Sequence, residues 1–132
     1  MKVRQLDPTF SKKKCSYYVV YVVIMKKETE SKIQQDCFVW YSNTYARYEN
    51  GIMFSIPNEN NGSQQRKVNT GLLRGVSDTI VIHKGVCMFV EFKTLTGVVS
   101  EYQKQFKNNV EKQGFKYYII RSLDEFKKII EK

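Results

Sequence analysis

The sequence predicts an α/β fold in which helices flank a central sheet. Short apolar runs and longer periodic stretches alternate in the order helix, strand, strand, strand, helix, strand, helix. Each predicted helix begins after a residue that caps helices well, Thr29, Ser100 or Ser122. With 132 residues, the chain is long enough for one domain with one modest core.

The stretch from Gly75 to Lys93 predicts a β-hairpin with polar residues at its open end. Two apolar runs, Thr79 to Ile82 and Val86 to Phe92, flank Lys84-Gly85, where glycine can supply the positive φ of a tight turn. Counting outward from a two-residue turn places Asp78 opposite Glu91, with both side chains on one face. Lys93 falls on the same face, because side chains alternate along a strand.

Both faces of this hairpin are apolar, which predicts a buried central element. The side chains that share a face with Asp78 and Glu91 are Ile80, Ile82, Cys87 and Phe89, and those on the other face are Val81, Met88, Val90 and Phe92.

Two carboxylates that face each other on an apolar hairpin repel and lose solvation, so they need compensation. Mg²⁺ supplies it well, because it binds one or two protein carboxylates and keeps other positions for water and phosphate oxygens. Asp78, Glu91 and the Lys93 ammonium therefore form a plausible set for phosphodiester hydrolysis. The plainer alternative is a cross-strand surface pair between Glu91 and Lys93.

The first predicted helix follows Thr29. Its core-facing stripe consists of Ile33, Cys37, Trp40 and Tyr41. Glu30 lies in the first turn, where a carboxylate favours the helix dipole. Alternatively, Glu30 leans toward the hairpin and contacts a metal or a water, with Gln34 orienting it.

The helix after Ser100 has two possible relations to the site. Ser100-x-x-Gln103 fits a capping box, which gives Gln103 a structural role. The helix N-terminus would also offer amide donors to a phosphate. Tyr102, Phe106 and Val110 are predicted to be buried, whereas Lys104, Lys107 and Lys112 form an exposed basic surface that suits nucleic-acid backbone contacts or simply solvent.

The charge of the chain favours a polyanionic partner. There are 22 Lys and Arg residues against 13 Asp and Glu residues, a formal charge of +9. Nucleic acid is the simplest such partner, although charge alone does not exclude an anionic membrane surface. The polar stretch from Asn58 to Gly75 carries Arg66, Lys67 and Arg74, and we expect it to contact the sugar-phosphate backbone unless it is only a flexible surface loop.

Residues 1–26 are predicted to be an N-terminal extension with a possible extra strand, and residues 27–132 the main domain. The apolar run from Ser16 to Met25 is too short to span a bilayer, and Met25 is a candidate natural start. Cys15, Cys37 and Cys87 lack metal-ligand spacing, which indicates reduced thiols in a cytoplasmic protein. His83 is expected to be a structural or surface residue.

Several motifs together resemble the VRR-NUC (virus-type replication-repair nuclease) family of the PD-(D/E)xK nuclease superfamily. The resemblance covers about Lys27 to Lys132, and Ser77 departs from it, because the family usually has proline before the aspartate. The motifs are Glu30-Ser31-Lys32-Ile33-Gln34, Ile56-Pro57-Asn58, Gly75-Val76-Ser77-Asp78, Glu91-Phe92-Lys93, Gly97-Val98-Val99-Ser100-Glu101-Tyr102-Gln103 and Gly114-Phe115-Lys116-Tyr117.

The resemblance implies a restriction-endonuclease-like core, with a central mixed sheet flanked by helices. It implies a Mg²⁺- or Mn²⁺-dependent endonuclease that acts on branched or structured DNA in replication, repair or recombination. Asp78, Glu91 and Glu30 would bind metal, and a main-chain carbonyl next to Glu91, at Val90 or Phe92, would join them. Lys93 would serve the nucleophile or the transition state, and Gln103 would lie near the site.

Stand-alone members of the family are homodimers, so a homodimer is the implied assembly, in the host cytoplasm if a virus or phage encodes the protein. RNA stays open as a substrate. One alternative is a basic nucleic-acid-binding module without catalysis, as a subunit of a replication or repair complex. Another is a sequence-specific restriction enzyme, although little chain is left for a recognition segment.

Overall fold

The structure is a computed structural model that describes residues 28–46, 50–57, 71 and 73–132. The predicted N-terminal extension and the candidate contacts Asn58, Arg66 and Lys67 lie outside these residues. The elements follow the predicted order and are α1 (Glu30–Thr44), β1 (Gly51–Ser55), β2 (Thr79–His83), β3 (Val86–Phe92), α2 (Glu101–Lys112), β4 (Lys116–Ile120) and α3 (Leu123–Ile130). No helix within the described ranges is both long and apolar enough to cross a lipid bilayer.

The four strands form one mixed sheet in the order β1-β2-β3-β4. β1 pairs with β2 and β2 with β3 in antiparallel fashion, whereas β3 and β4 are parallel. A parallel pair needs a crossover, and α2 lies in the connection between β3 and β4. The predicted α/β architecture with a central mixed sheet is confirmed.

The turn between β2 and β3 sets the register that the sequence predicts. Lys84 and Gly85 have φ values of 48° and 77°, the two positive angles of a type I′ turn. The paired residues run from His83 opposite Val86 to Thr79 opposite Val90. One further step in the same register places Asp78 opposite Glu91.

The main core lies on one face of the sheet, beneath α1 and α3. Val81, Val90 and Phe92 are fully buried there. The helices contribute side chains that are at most 2% exposed, namely Ile33, Cys37 and Tyr41 from α1 and Phe126 and Ile130 from α3.

The other face of the sheet is covered less completely than the sequence predicts. Phe106 of α2 packs edge-on against Phe89 and Tyr117, with ring centroids 5.8 and 6.2 Å apart. Ile80 is only half-buried, and Ile82 is 38% exposed. The prediction that both faces are buried is therefore correct only at the end of β3, from Val90 to Phe92, and wrong for the β1–β2 side, because α2 packs over β3 and β4.

Tyr102 is another correction, since its side chain is 52% exposed instead of buried. The main chain at Gly75 passes so close to α2 that a Cβ there would lie 2.3 Å from the carbonyl carbon of Tyr102. This backbone contact occupies the first turn of α2, and the Tyr102 ring lies instead under the Arg74 guanidinium, 5.7 Å from the ring centroid. Only the later part of the predicted stripe, Phe106 and Val110, packs inward.

Candidate active site

Two acidic residues, one from each of two neighbouring segments, lie close together at the open end of the hairpin. Glu91 lies within β3 and is 1% exposed, and Asp78 directly precedes β2. The Phe92 main-chain N–H donates to Oδ2 of Asp78 at 2.8 Å. The main-chain oxygen of Asp78 accepts from the N–H of Ile56 at 2.8 Å, so hydrogen bonds hold Asp78 on both sides.

Ser77, which stands where the resembling family usually has proline, is fully buried. Its hydroxyl donates to the main-chain oxygen of Thr79 at 3.3 Å. This short-range bond shapes the backbone before β2.

Lys93 follows β3 and links the acidic pair to the first helix. Its Nζ lies 3.0 Å from Oε1 of Glu91 and 3.5 Å from Oε2 of Glu30. The Lys93 side chain is only 9% exposed, so this ammonium group is surrounded mainly by protein.

Gln103 combines the two roles that the sequence left open. Its Oε1 accepts the N–H of Ser100 at 2.8 Å, and Ser100 Oγ accepts the N–H of Gln103 at 3.3 Å, which completes a capping box. The amide nitrogen of the same side chain donates to Oε1 of Glu91. The start of α2 is thereby fastened to the buried carboxylate.

Glu30 reaches the site, but Gln34 does not orient it. Gln34 donates to Oγ1 of Thr79 at 3.2 Å, because its position one turn further along α1 faces the start of β2. The Glu30 carboxylate packs against Gly97 instead, where a Cβ would lie 3.0 Å from Oε1.

Burial dominates the electrostatics of the acidic pair. Desolvation, with the charge of Asp78 added, raises the pKa of Glu91 to about 7, although Lys93 opposes this rise. Desolvation also raises the pKa of Asp78 against the opposing effect of the Phe92 N–H. For Lys93, burial lowers the pKa, but the hydrogen bond and charge of Glu91 outweigh it and the pKa is raised overall. The site is therefore short of positive charge.

The residues present fit a hard divalent cation. Oε1 of Glu91 contacts both Lys93 and Gln103, whereas Oε2 is buried and has no hydrogen-bond partner. Two carboxylates suffice for Mg²⁺, which retains several water ligands. Within the described part of the chain no group of three or more His, Cys, Asp or Glu side chains is placed to hold a metal, so the roles of Glu30 and of the Phe92 carbonyl as ligands stay predictions.

The described candidates for nucleic-acid contact lie around the start of α2. Ser100 caps the helix, and Arg74 lies over Tyr102. Lys104 and Lys107 pair along the helix with Glu101 and Glu111 at 3.4 and 4.0 Å. These ion pairs reduce the net positive charge of the α2 surface but leave it open to solvent.

Arg121 is a structural residue of the site that sequence reasoning missed. Its Nη1 donates to the main-chain oxygens of Thr94, Leu95 and Gly97, and so holds the segment that follows Lys93. No motif marks this arginine, since its partners are main-chain carbonyls more than twenty residues away.

Other candidates from the sequence have structural positions. Cys37 is buried and Cys87 half-buried, both as free thiols. His83 is 4% exposed, and its Nδ1 lies 3.1 Å from the Tyr41 hydroxyl.

Comparison with known proteins supports the fold. No protein-family model and no curated protein sequence matches the chain. A solved structure described as a VRR_NUC domain protein matches with a TM-score of 0.63 and 16% identity, over 81% of this chain and 88% of the other. A second, described as a VRR_NUC domain, matches with a TM-score of 0.51 and 19% identity, over 74% and 92% of the two chains. The chain therefore has a VRR-NUC-like α/β fold, as its motifs predict.

Proposed function

We propose that this protein is a Mg²⁺- or Mn²⁺-dependent nuclease that hydrolyses phosphodiester bonds in DNA. One observation carries the proposal, namely an acidic pair of half-buried Asp78 and buried Glu91, in which Oε2 of Glu91 lacks a partner while the Lys93 ammonium lies 3.0 Å from Oε1. The likeness to solved VRR_NUC domains supports a nuclease, and the formal charge of +9 supports a polyanionic substrate.

Asp78 and Glu91 would hold the cation. When bound, a divalent cation neutralises developing charge on the phosphate and lowers the pKa of a bound water. The protein's own contribution is to fix the two carboxylates before substrate arrives. The Phe92 N–H fixes Asp78, and the Gln103 amide fixes Glu91.

Lys93 acts as a charged donor. Its pKa is raised, with Glu91 as the main cause that outweighs burial, so the side chain carries an ammonium at neutral pH. Held between Glu91 and Glu30, this ammonium can orient the attacking water and stabilise negative charge on the phosphate. Glu30 limits its movement from the α1 side.

The substrate class follows from the resemblance and the charge. Branched or structured DNA is the substrate that the resemblance implies. The main alternative, a module that binds nucleic acid without cutting it, would not need buried, facing carboxylates, because such a pair costs stability and adds nothing to phosphate contacts.

A cleavage assay with matched variants tests the proposal. Purified protein is incubated with plasmid, single-stranded, flap and four-way-junction DNA and with duplex RNA, each with Mg²⁺, Mn²⁺ or EDTA. We expect metal-dependent cutting of DNA that Asp78→Asn and Lys93→Met abolish and that Lys128→Met, which removes an exposed lysine of α3, retains. Cutting that persists in both site variants would refute the site, whereas tight binding without cutting under all conditions would favour the non-catalytic alternative.

The assembly is a separate proposal. A homodimer would present two sites to one DNA molecule, as the resemblance implies. Light scattering at micromolar concentration measures the mass directly. A mass of 15.6 kDa, that of one chain, at all concentrations would refute the dimer and leave the proposed chemistry unaffected.

A further inference from the structure

Tyr117 is a buried tyrosine beside Glu91 that has no part in the proposed catalysis. In the parallel register, Phe89 pairs with Tyr117 and Glu91 pairs with Ile119, so the Tyr117 side chain lies on the same sheet face as Glu91 and one pair away. The side chain is 6% exposed, and Phe106 packs edge-on against its ring.

Two oxygens at this place lack hydrogen-bond partners. Among the described residues, only three buried side-chain atoms have none, and two of them are the Tyr117 hydroxyl and Oε2 of Glu91. Buried donors and acceptors are normally paired, so two such atoms on neighbouring strands need an explanation. One is a donor, and the other is a carboxylate oxygen with lone pairs to spare.

The Tyr117 hydroxyl carries a proton that it can donate at neutral pH, since the ordinary pKa of tyrosine is about 10. A protonated hydroxyl can only help Glu91 by donating to it. Oε1 of Glu91 already receives Lys93 and Gln103, which leaves Oε2 as the acceptor.

We propose that Tyr117 is a positioning residue whose hydroxyl donates to Oε2 of Glu91 and fixes this carboxylate for cation binding. The inference rests on the proposed function, because it assigns Tyr117 a role toward the proposed cation. A carboxylate oxygen can accept one hydrogen bond and contact a cation at the same time. Three donors then surround Glu91, namely Tyr117 from β4, Gln103 from α2 and Lys93 directly after β3.

The competing explanation is that Tyr117 only fills space beside Phe106. In that case the hydroxyl is an unpaired buried group, and its removal would stabilise the protein without changing cation affinity. Tyr117→Phe separates the two explanations, because it keeps the ring and removes one oxygen. Tyr118→Phe is a matched control, since Tyr118 is the next residue and lies on the opposite face of the sheet.

The test measures Mn²⁺ affinity by titration calorimetry, together with the rise in Tm that saturating Mn²⁺ produces. We expect Tyr117→Phe to weaken Mn²⁺ binding by about 10-fold, as for groups that orient metal ligands, and to reduce the Mn²⁺-induced rise in Tm. Tyr118→Phe should match the wild type in both measurements. In cleavage assays at fixed Mn²⁺, kcat should fall while KM for DNA stays unchanged.

Two outcomes overturn the inference and can be told apart. Equal Mn²⁺ affinity in the wild type, Tyr117→Phe and Tyr118→Phe would refute the role of Tyr117 and leave the proposed nuclease intact. A wild type that binds no Mn²⁺, or binds it equally well after Glu91→Gln, would refute the proposed function together with this inference.

Discussion

The central hairpin buries polar side chains at both of its ends, and the two ends differ in charge. At the turn end, the Tyr41 hydroxyl donates to the main-chain oxygen of Ile82 at 3.3 Å and lies 3.1 Å from Nδ1 of His83. Burial lowers the pKa of His83, so this ring is neutral at physiological pH. At the open end, Glu91 and Lys93 are ionisable groups of opposite sign, both less than 10% exposed.

The difference separates a structural polar cluster from a reactive one. Within the part of the chain that the structure describes, the turn end leaves Nε2 of His83 without a hydrogen-bond partner, and the open end leaves Oε2 of Glu91 and the Tyr117 hydroxyl without one. An unpaired neutral nitrogen costs far less than an unpaired carboxylate oxygen. The turn end therefore tolerates its unpaired nitrogen, whereas Oε2 of Glu91 at the open end needs a cation or a donated proton.

The largest expected effect is on catalysis at the open end. Asp78→Asn keeps an acceptor for the Phe92 N–H but removes the charge that would hold the cation. We expect the single-turnover cleavage rate to fall by about 100-fold or more, with DNA affinity nearly unchanged. Gel-based cleavage and fluorescence anisotropy measure the two quantities. A rate within a few-fold of wild type would mean that the open end is as structural as the turn end.

The pH dependence of stability should distinguish the two ends next. The folded-state pKa of Glu91 is about 7 against an ordinary 4.5, so the metal-free folded state holds this proton more tightly than the unfolded state does. The stability that this proton contributes is fully present below the ordinary pKa of 4.5 and is lost as the pH rises through the folded-state pKa of about 7, by up to about 3 kcal/mol. His83 acts in the opposite sense, because its lowered pKa costs stability as pH falls.

The Glu91 contribution is isolated by comparing thermal unfolding of the wild type and Glu91→Gln without metal at about pH 5 and about pH 8. The wild type should lose stability relative to the variant as pH rises, and Mn²⁺ should restore it at the higher pH. If the stabilities of the two proteins changed in parallel with pH, burial would not raise the pKa of Glu91.

A smaller effect is expected at the turn end. Tyr41→Phe removes the hydroxyl that faces His83 and Ile82. The free energy of unfolding should fall by about 1 to 2 kcal/mol, because a buried ring nitrogen loses its partner. Urea denaturation measures this change, and the cleavage rate per folded molecule should stay at the wild-type value. A loss of rate with full stability would contradict the separation of the two ends.

The smallest effect concerns the exposed face of α2. Lys104 and Lys107 already pair with Glu101 and Glu111, so their contribution to DNA binding is partly offset. The double substitution to alanine should weaken DNA binding only about 3-fold. It should lower the salt slope by less than the loss of two unpaired lysine charges would. Anisotropy titrations over a range of salt concentrations test this. An unchanged slope would exclude this face from the DNA interface.

Features set by local geometry were predictable from the sequence. The Lys84-Gly85 turn fixes the register, and the register brings Asp78, Glu91 and Lys93 together. The capping box at Ser100 is likewise a local pattern, and it fixes the position of Gln103 at the start of α2. In each case the spacing along the chain determines the spacing in the structure.

Features set by packing between distant segments were not predictable. The exposed position of Tyr102 follows from the close approach of Gly75, and the partner of Gln34 depends on how α1 crosses β2. Arg121 binds carbonyls of a segment that begins at Thr94, which no periodicity reveals. Helical spacing tells which residues share a side, but it does not tell how far the neighbouring element extends.

The length of the two-residue hairpin turn also determines whether the acidic residues meet. Side chains alternate along β2 and β3, so one residue inserted at Lys84-Gly85 would shift the strands by one step. Such a shift would send one acidic side chain toward the α1 and α3 core and leave the other alone. The five residues of β2 separate the turn from Asp78 by about 16 Å. A single-codon insertion at the turn would thus disable the site without altering any of its residues.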